Sequence, residues 1–253
     1  MNINILKLGS TTALLITLAA CGGGGGDATP APSLSATVPA SAEGFWAGTT
    51  AKGTVVNLAI LENGETWGIY GTPTVLAGAV YGTTSTSGAT LSGSGIGFNF
   101  LTRISSSGVF SGNVRTKGDI SFNVSDGTTV TAKYDTSYDQ PVSLASIAGT
   151  YMGQAVTGTI NPQVTTVVVG ANGSISSSFI SGNLSCTTTG TATPRASGKN
   201  VFNVQLTFAG NSCALGNGTV VTGVATYRAG TRELITMAMN SSKTDGLIFV
   251  GVH

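Results

Sequence analysis

Short turn signals cut the chain into runs of alternating apolar and polar residues, and this constrains the fold more than any other feature. In NLAILENGETWGIY the pair Asn63-Gly64 separates two such runs. An Asn-Gly pair between two such runs is the strongest local signal for a hairpin of antiparallel strands. VVVGANGSIS, FNVSDGTTVTAKY, TYRAGTRELITMAM and KTDGLIFVGV repeat the device around Asn172-Gly173, Asp126-Gly127, Ala229-Gly230 and Asp245-Gly246. Period-two alternation in Val, Ile, Thr, Phe and Tyr marks half-buried strands, and beyond residue 20 no stretch of ten or more residues has helical spacing. The expected class is all-β, built of consecutive antiparallel hairpins. Periodicity leaves small β-barrels and barrel-like sandwiches both open, although closure removes edges that a charge-poor sheet otherwise exposes to aggregation.

Two units are expected in tandem. Gly44-Phe45-Trp46-Ala47-Gly48 and Gly149-Thr150-Tyr151-Met152-Gly153 each place an aromatic between glycines at a strand start, and an Asn-Gly turn follows after fifteen and nineteen residues respectively. The period is about 105 residues, enough for seven or eight strands per unit. Asp135 to Ala148, with Pro141, reads as the connector. The expected units are therefore 43–140 and 141–253; one continuous meander fits the repeat less well.

The amino-terminal part follows other rules. Lys7 precedes the apolar run Ala13 to Ala20, which is far shorter than the roughly 20 residues that span a bilayer and suits a secretory signal over residues 1–20. Residues 21–42 hold Cys21, five consecutive glycines and then mainly Pro, Ser, Ala and Thr. Such a segment cannot bury enough apolar surface to order itself and is expected to be a coil with an end-to-end distance of about 25 Å.

Leu18-Ala19-Ala20-Cys21 resembles the lipobox of bacterial lipoproteins. The resemblance implies a diacylglycerol on the Cys21 sulfur, cleavage just before it and acylation of the new amino group. Three acyl chains of that kind anchor a protein permanently. Gly22 departs from the Asp that retains such proteins in the inner membrane, so the resemblance implies the outer membrane. The glycine run resembles the tethers of transferrin-binding and factor-H-binding surface lipoproteins, which favours the cell surface over the periplasmic face. Farther along, SLASIAGTYMG, the segment from Cys186 to Cys213 and GLIFVGVH are similar to a group of uncharacterised proteobacterial lipoproteins, a similarity that implies no activity. Gly44-Phe45-Trp46 is similar to the Gly-x-Trp on the first strand of lipocalins and to the opening of avidin-type barrels, with Tyr151 in place of Trp in the second unit.

Charged residues make up only 8% of the chain, about a third of the usual share. Without Lys7, ten cations face ten carboxylates, so neither a basic face for nucleic acid nor an acidic face for cationic partners is expected. With Cys21 assigned to lipid, Cys186 and Cys213 are left in an oxidising compartment, where pairing is expected. Closing that loop stabilises a fold by about 3 kcal/mol. Two free buried thiols are the alternative; a metal site lacks further ligands, and no cofactor is expected.

The residues give little basis for catalysis, and no enzyme is expected. The one histidine is His253, expected to be an exposed, frayed terminal residue. No Gly-x-Ser-x-Gly elbow occurs. Gly93-Ser94-Gly95-Ile96-Gly97 has no Lys and no following helix, so tight packing or a bulge is expected there rather than phosphate binding. Glu62 and Glu65 flank the Asn63-Gly64 turn and are expected to be solvated hairpin ends rather than an acid and base pair. Asp135 and Asp139 fall in the connector, without the loop of a calcium hand around them. Aromatic residues of the first unit, Phe45, Trp46, Trp67, Tyr70 and Tyr81, suit a β core. Trp67 and Ile69 share one strand face and Tyr70 takes the other, which makes Tyr70 and Tyr81 the candidates for outward ligand contact.

The function expected from these features is an outer-membrane, lipid-anchored binding or adhesion module, with a host protein, an envelope protein or a glycan as partner. A lipocalin-like or avidin-like small-molecule carrier is the alternative, and a structural envelope lipoprotein without ligand comes third. A carrier requires an open apolar interior; an interior filled by Trp46, Phe98, Ile120 and Phe122 is incompatible with it.

Overall fold

The computed structural model describes residues 39–181 and 184–253. Cys21, the expected signal over residues 1–20 and most of the expected coil over residues 21–42 lie outside these residues. The first eight strands are β1 (Gly44–Thr50), β2 (Val55–Ile60), β3 (Glu65–Gly71), β4 (Leu76–Ser87), β5 (Thr90–Asn99), β6 (Ile104–Val114), β7 (Asp119–Val124) and β8 (Thr129–Asp135). Each pairs antiparallel with its neighbour in the chain, and β1 pairs with β8 to close a barrel. A second closed barrel holds β9 (Gly149–Thr157), β10 (Gln163–Val169), β11 (Ser174–Ser181), β12 (Leu184–Pro194), β13 (Phe202–Ala209), β14 (Val220–Arg228), β15 (Glu233–Asn240) and β16 (Gly246–Val252), closed by β9 against β16. The fold is all-β with two tandem antiparallel barrels, and the sandwich alternative is not what the chain adopts.

Alternation assigns each side chain to the inside or outside of its barrel. Trp46 pairs with Leu58 on one side and Tyr134 on the other, so all three point inward. With Val56, Ile60, Leu91, Val114, Ile120, Phe122 and Val130 they form the first core. Glycines on the inner face make room for the large rings. A Cβ at Gly93 would strike the Phe110 ring, and one at Gly78 the Tyr70 ring. Gly93 and Gly95 thus serve close packing, as expected, whereas a Cβ at Gly97 would meet nothing closer than 3.9 Å.

The two barrels repeat one design. The Trp46 indole Nε1 donates to the Ala42 carbonyl at 2.8 Å, and the Tyr151 hydroxyl donates to the Ile147 carbonyl at 2.8 Å. Each inward aromatic thereby bonds to the residue four positions before it, closing the base of its barrel. The Asn-Gly turns match as well: Thr84 N donates to Gly64 O at 2.8 Å, and Ala192 N to Gly173 O at 2.7 Å.

Outward residues join the barrels. Ala59, Trp67, Ala79 and Phe98 of the first barrel form one buried cluster with Val156, Val224, Ile235, Met237, Met239 and Ile248 of the second. Phe98 therefore lies between the barrels, outside the first interior. Polar contacts flank this seam. Arg195 Nε donates to Glu62 Oε1 at 2.8 Å, and its Nη2 lies 3.9 Å from Glu65 Oε2. These two glutamates are thus not free hairpin ends: they meet a guanidinium whose side chain is only 13% exposed. Arg228 Nη2 crosses to Asn57 Oδ1 at 2.9 Å.

The connector is folded between the barrels. Asp135 caps a short 3-10 turn, Thr136–Asp139, by accepting from Ser137 N at 2.9 Å. Ser143 caps a single turn of helix, α1 (Leu144–Ile147). Tyr138 is buried in the seam, edge-on to Phe45 at 4.9 Å, and its hydroxyl donates to Glu43 Oε1 at 2.9 Å. Asn200 is fully satisfied: its Nδ2 donates to Ser137 O and Tyr227 O, and its Oδ1 accepts from Tyr227 N at 3.1 Å.

Candidate binding pole

Strand order fixes which turns share an end. The described chain enters the first barrel beside the turns that precede β5 and β7, where Ala40 N donates to Gly88 O at 3.1 Å and Ser41 N to Thr116 Oγ1 at 2.8 Å. The connector and the Arg195–Glu62 pair lie at the same end, the near pole. Strands running away from it lead to turns 51–54, 72–75, 100–103 and 125–128 of the first barrel and 158–162, 210–219 and 241–245 of the second. Arg103 ties the two sets together, donating to the Thr159 carbonyl and to Asn161 Oδ1. Both barrels therefore present their far poles on one side of the molecule.

Ion pairing separates the poles, since the far-pole residues Lys52, Arg103, Asp126, Lys243 and Asp245 are in none of the ion pairs among the described residues. Ion pairs gather at the near one: Arg115 with Asp119, Lys117 and Lys199 with Asp139, Arg195 with Glu62, and Arg228 with Glu233. Asp139 accepts from Lys117 Nζ and Lys199 Nζ, each at 2.7 Å, and from the Tyr134 hydroxyl at 2.9 Å. Those lysine contacts hold its carboxyl well below the usual carboxylate range. Asp119, bonded first to Arg115 and then to Lys133, is lowered to about 2. Tyr134 and Tyr138 are pushed up by burial and then by the carboxylates they donate to, Asp139 and Glu43. Both remain proton donors at neutral pH, and the cluster is a fixed joint in which every carboxylate named has a donor.

At the far pole the chain exposes Val75, Leu101, Ile104 and Ile160. Phe100 N donates to Ala77 O at 2.8 Å, which brings turn 100–103 beside turn 72–75. Arg103 carries the same rim across to the turn that contains Ile160. Surface turns on a rigid scaffold are where recognition residues gather, and apolar side chains held at turn tips are the kind that bury against a partner. The Cys186–Cys213 disulfide, with Cα atoms 4.9 Å apart, pins the long turn 210–219 to β12 at this pole. Gly210 N donates to Asn217 Oδ1 at 2.9 Å and Gly216 N to Cys213 O at 2.9 Å, so the turn has internal order as well. The free-thiol alternative does not apply.

Tyr70 is not directed outward. It follows the inward parity of Thr66 and Gly68, half-buried in the first barrel, and its hydroxyl donates to the Phe98 carbonyl at 3.2 Å. Burial pushes its hydroxyl up. The two faces of β3 are separated as expected, but the outer one, with Trp67 and Ile69, is buried by the second barrel. Tyr81 pairs with Trp67 on that outer face, ring centroids 4.6 Å apart, and Lys243 Nζ sits 4.7 Å from its centroid. Its hydroxyl is pushed up by burial and by the charge of Glu65. The structure therefore does not bring Tyr70 and Tyr81 together in one site.

Neither interior offers much room. Trp46, Ile120 and Phe122 fill the first barrel. The second holds a cavity of about 30 Å³ lined by Val167, Ile175, Ala192, Leu206, Leu234 and Phe249, with Ser177, Thr188 and Thr236 also facing it. That is space for about two waters, against about 150 Å³ for a cavity that admits benzene. A cleft of about 40 Å³ between the barrels, beside Asn57 and Arg228, is similarly small.

The far-pole rim and the seam both escaped sequence reasoning. A signal for the seam exists: ELITMAMN on β15 is buried on both faces, and a strand apolar on both sides reads as covered on both sides. The rim has no such signal, because single apolar residues in turns look like any others. No family model matches the chain, and no curated protein or solved structure matches it.

Proposed function

We propose that the protein is an outer-membrane lipoprotein, held at the cell surface through acylated Cys21, whose paired barrels form a rigid binding module. Partner contact is made at the far pole, and the partner is a host protein, another envelope protein or a glycan. The observation that carries this reading is the position of the exposed rim Val75, Leu101, Ile104 and Ile160, at the end opposite Ala40 and Ser41, on a scaffold whose interiors are occupied. A tether entering at one pole leaves the other free to face outward. The lipobox-like Leu18-Ala19-Ala20-Cys21 and the coil-forming residues that follow support the anchor. No catalytic step is part of this reading.

Protease treatment of intact cells tests it. The folded part is expected to be removed from wild-type cells, while the Cys21→Ser variant appears in a soluble fraction. Full-length protein persisting on treated intact cells, yet cleaved after the outer membrane is opened, would instead favour a periplasm-facing role.

A further inference from the structure

From Gln140 to Pro194, and again from Asn200 to Tyr227, the sequence contains no Asp, Glu, Lys, Arg or His. The fold turns this linear fact into a surface. The outer faces of β9 to β12 carry Thr150, Met152, Gln154, Val164, Thr166, Val168, then serines and threonines only, among the described side chains. Within this wall the apolar side chains cluster. Val252 pairs with Met152 on β9, and Met152 pairs with Thr166, which lies between Val164 and Val168 on the same face of β10. Their exposures are 52% for Val252, 64% for Met152, 71% for Val164 and 43% for Val168. This patch is on the second barrel and is bordered on one side by Val250, which packs against the seam, and by the Glu233–Arg228 pair beside Val252.

We infer that this face pairs with the same face of a second copy of the chain, about a two-fold axis. Closed barrels have no free strand edges, so strand-to-strand pairing with a second copy is closed off and a contact made through the sheet is face to face. A two-fold contact sets a patch against itself, and any charge on it then meets its own sign. A face with no charge escapes that penalty and is complementary to itself, offering apolar burial with hydroxyls around it. Ten cations balance ten carboxylates beyond the signal segment, so no long-range repulsion opposes the approach. The area suits a weak contact: four neighbouring strands wrap half of a closed eight-stranded barrel, so about three of them, spaced about 4.8 Å apart and about 25 Å long, face a partner and present about 360 Å² per copy. Two copies bury about 700 Å², the size of a weak, transient association.

Sedimentation of the full chain carrying Cys21→Ser, from micromolar to hundreds of micromolar, tests the inference. A concentration-dependent dimer is expected. Val164→Lys and Met152→Lys should each raise the half-dimer concentration at least tenfold with the melting temperature unchanged, whereas Val109→Lys, an exposed position on the first barrel, should leave it unchanged. A monomer throughout the range overturns the inference, as does a dimer unaffected by both patch variants. Binding of the monomer to neutral phosphatidylcholine vesicles, abolished by Val164→Lys, would assign the face to lipid and equally overturn it.

Discussion

His253 stands in the second barrel where Tyr134 stands in the first. Tyr134 meets Trp46 edge-on at 5.4 Å, and His253 meets Tyr151 edge-on at 5.6 Å. The backbone N–H of Tyr134 donates to Gly118 O at 3.0 Å and that of His253 to Arg232 O at 3.1 Å. A Cβ at Gly44 would collide with the Tyr134 ring and one at Gly149 with the His253 ring. His253 is exposed, as expected of a terminal residue, but it is held by two contacts rather than frayed. Edge-on aromatic pairs contribute about 1 kcal/mol, so His253→Ala should lower the melting temperature by about 3 °C. Gly149→Ala should lower it further, because the added carbon displaces the ring and the backbone φ of 157° suits glycine. Thermal unfolding followed by circular dichroism checks both.

The two barrels should melt as one unit. Trp67 is 1% exposed within a seam built from both, and truncating a buried Trp costs about 3–5 kcal/mol. Calorimetry of the wild type should show one transition. Trp67→Ala should either broaden it or separate two, and Arg195→Ala should act in the same direction with a smaller effect.

Acid should weaken the joint near the connector. The carboxyls of Asp139 and Asp119 are lowered in the folded state by their lysine and arginine partners. The unfolded chain therefore binds their protons at higher pH than the folded one, and stability rises with pH across that window. The contribution is complete above about pH 4, the ordinary carboxylate value, and is lost as pH falls through the lower folded values. Melting temperature should thus be level from pH 7 to 5 and drop toward pH 2. Asp139→Asn should lower it at pH 7 and narrow the difference at pH 2; an equal loss at both would show that ionisation of Asp139 is not the cause.

The disulfide should matter for the far pole before it matters for the fold. Cys186 and Cys213 are 27 residues apart, and opening a loop of that size costs about 3 kcal/mol. Cys213→Ser should lower the melting temperature and raise hydrogen exchange in residues 210–219 more than in β13.

Barrel class and repeat were legible because both are local: Asn63-Gly64 and Asn172-Gly173 specify hairpins, and the matched openings around Trp46 and Tyr151 reveal the duplication. Inside and outside were not assigned as easily. Both faces of β3 are apolar, with Trp67 and Ile69 on one and Tyr70 on the other, so parity separates them without saying which is covered by the second barrel. Arg195 and Glu62 lie 133 residues apart, and such a pairing depends on how the barrels dock. The rim is harder still, since the tie between turns 100–103 and 158–162 depends on Arg103 reaching Thr159 and Asn161 across the seam.

An anchor of fatty acyl chains on one sulfur underlies the functional reading, and intact-mass analysis of the protein purified from its native membrane tests it most directly. The expected product begins at Cys21 and carries a diacylglycerol on sulfur and a third acyl chain on the amino group. A chain that begins elsewhere, or a Cys21 with a free thiol, would contradict it.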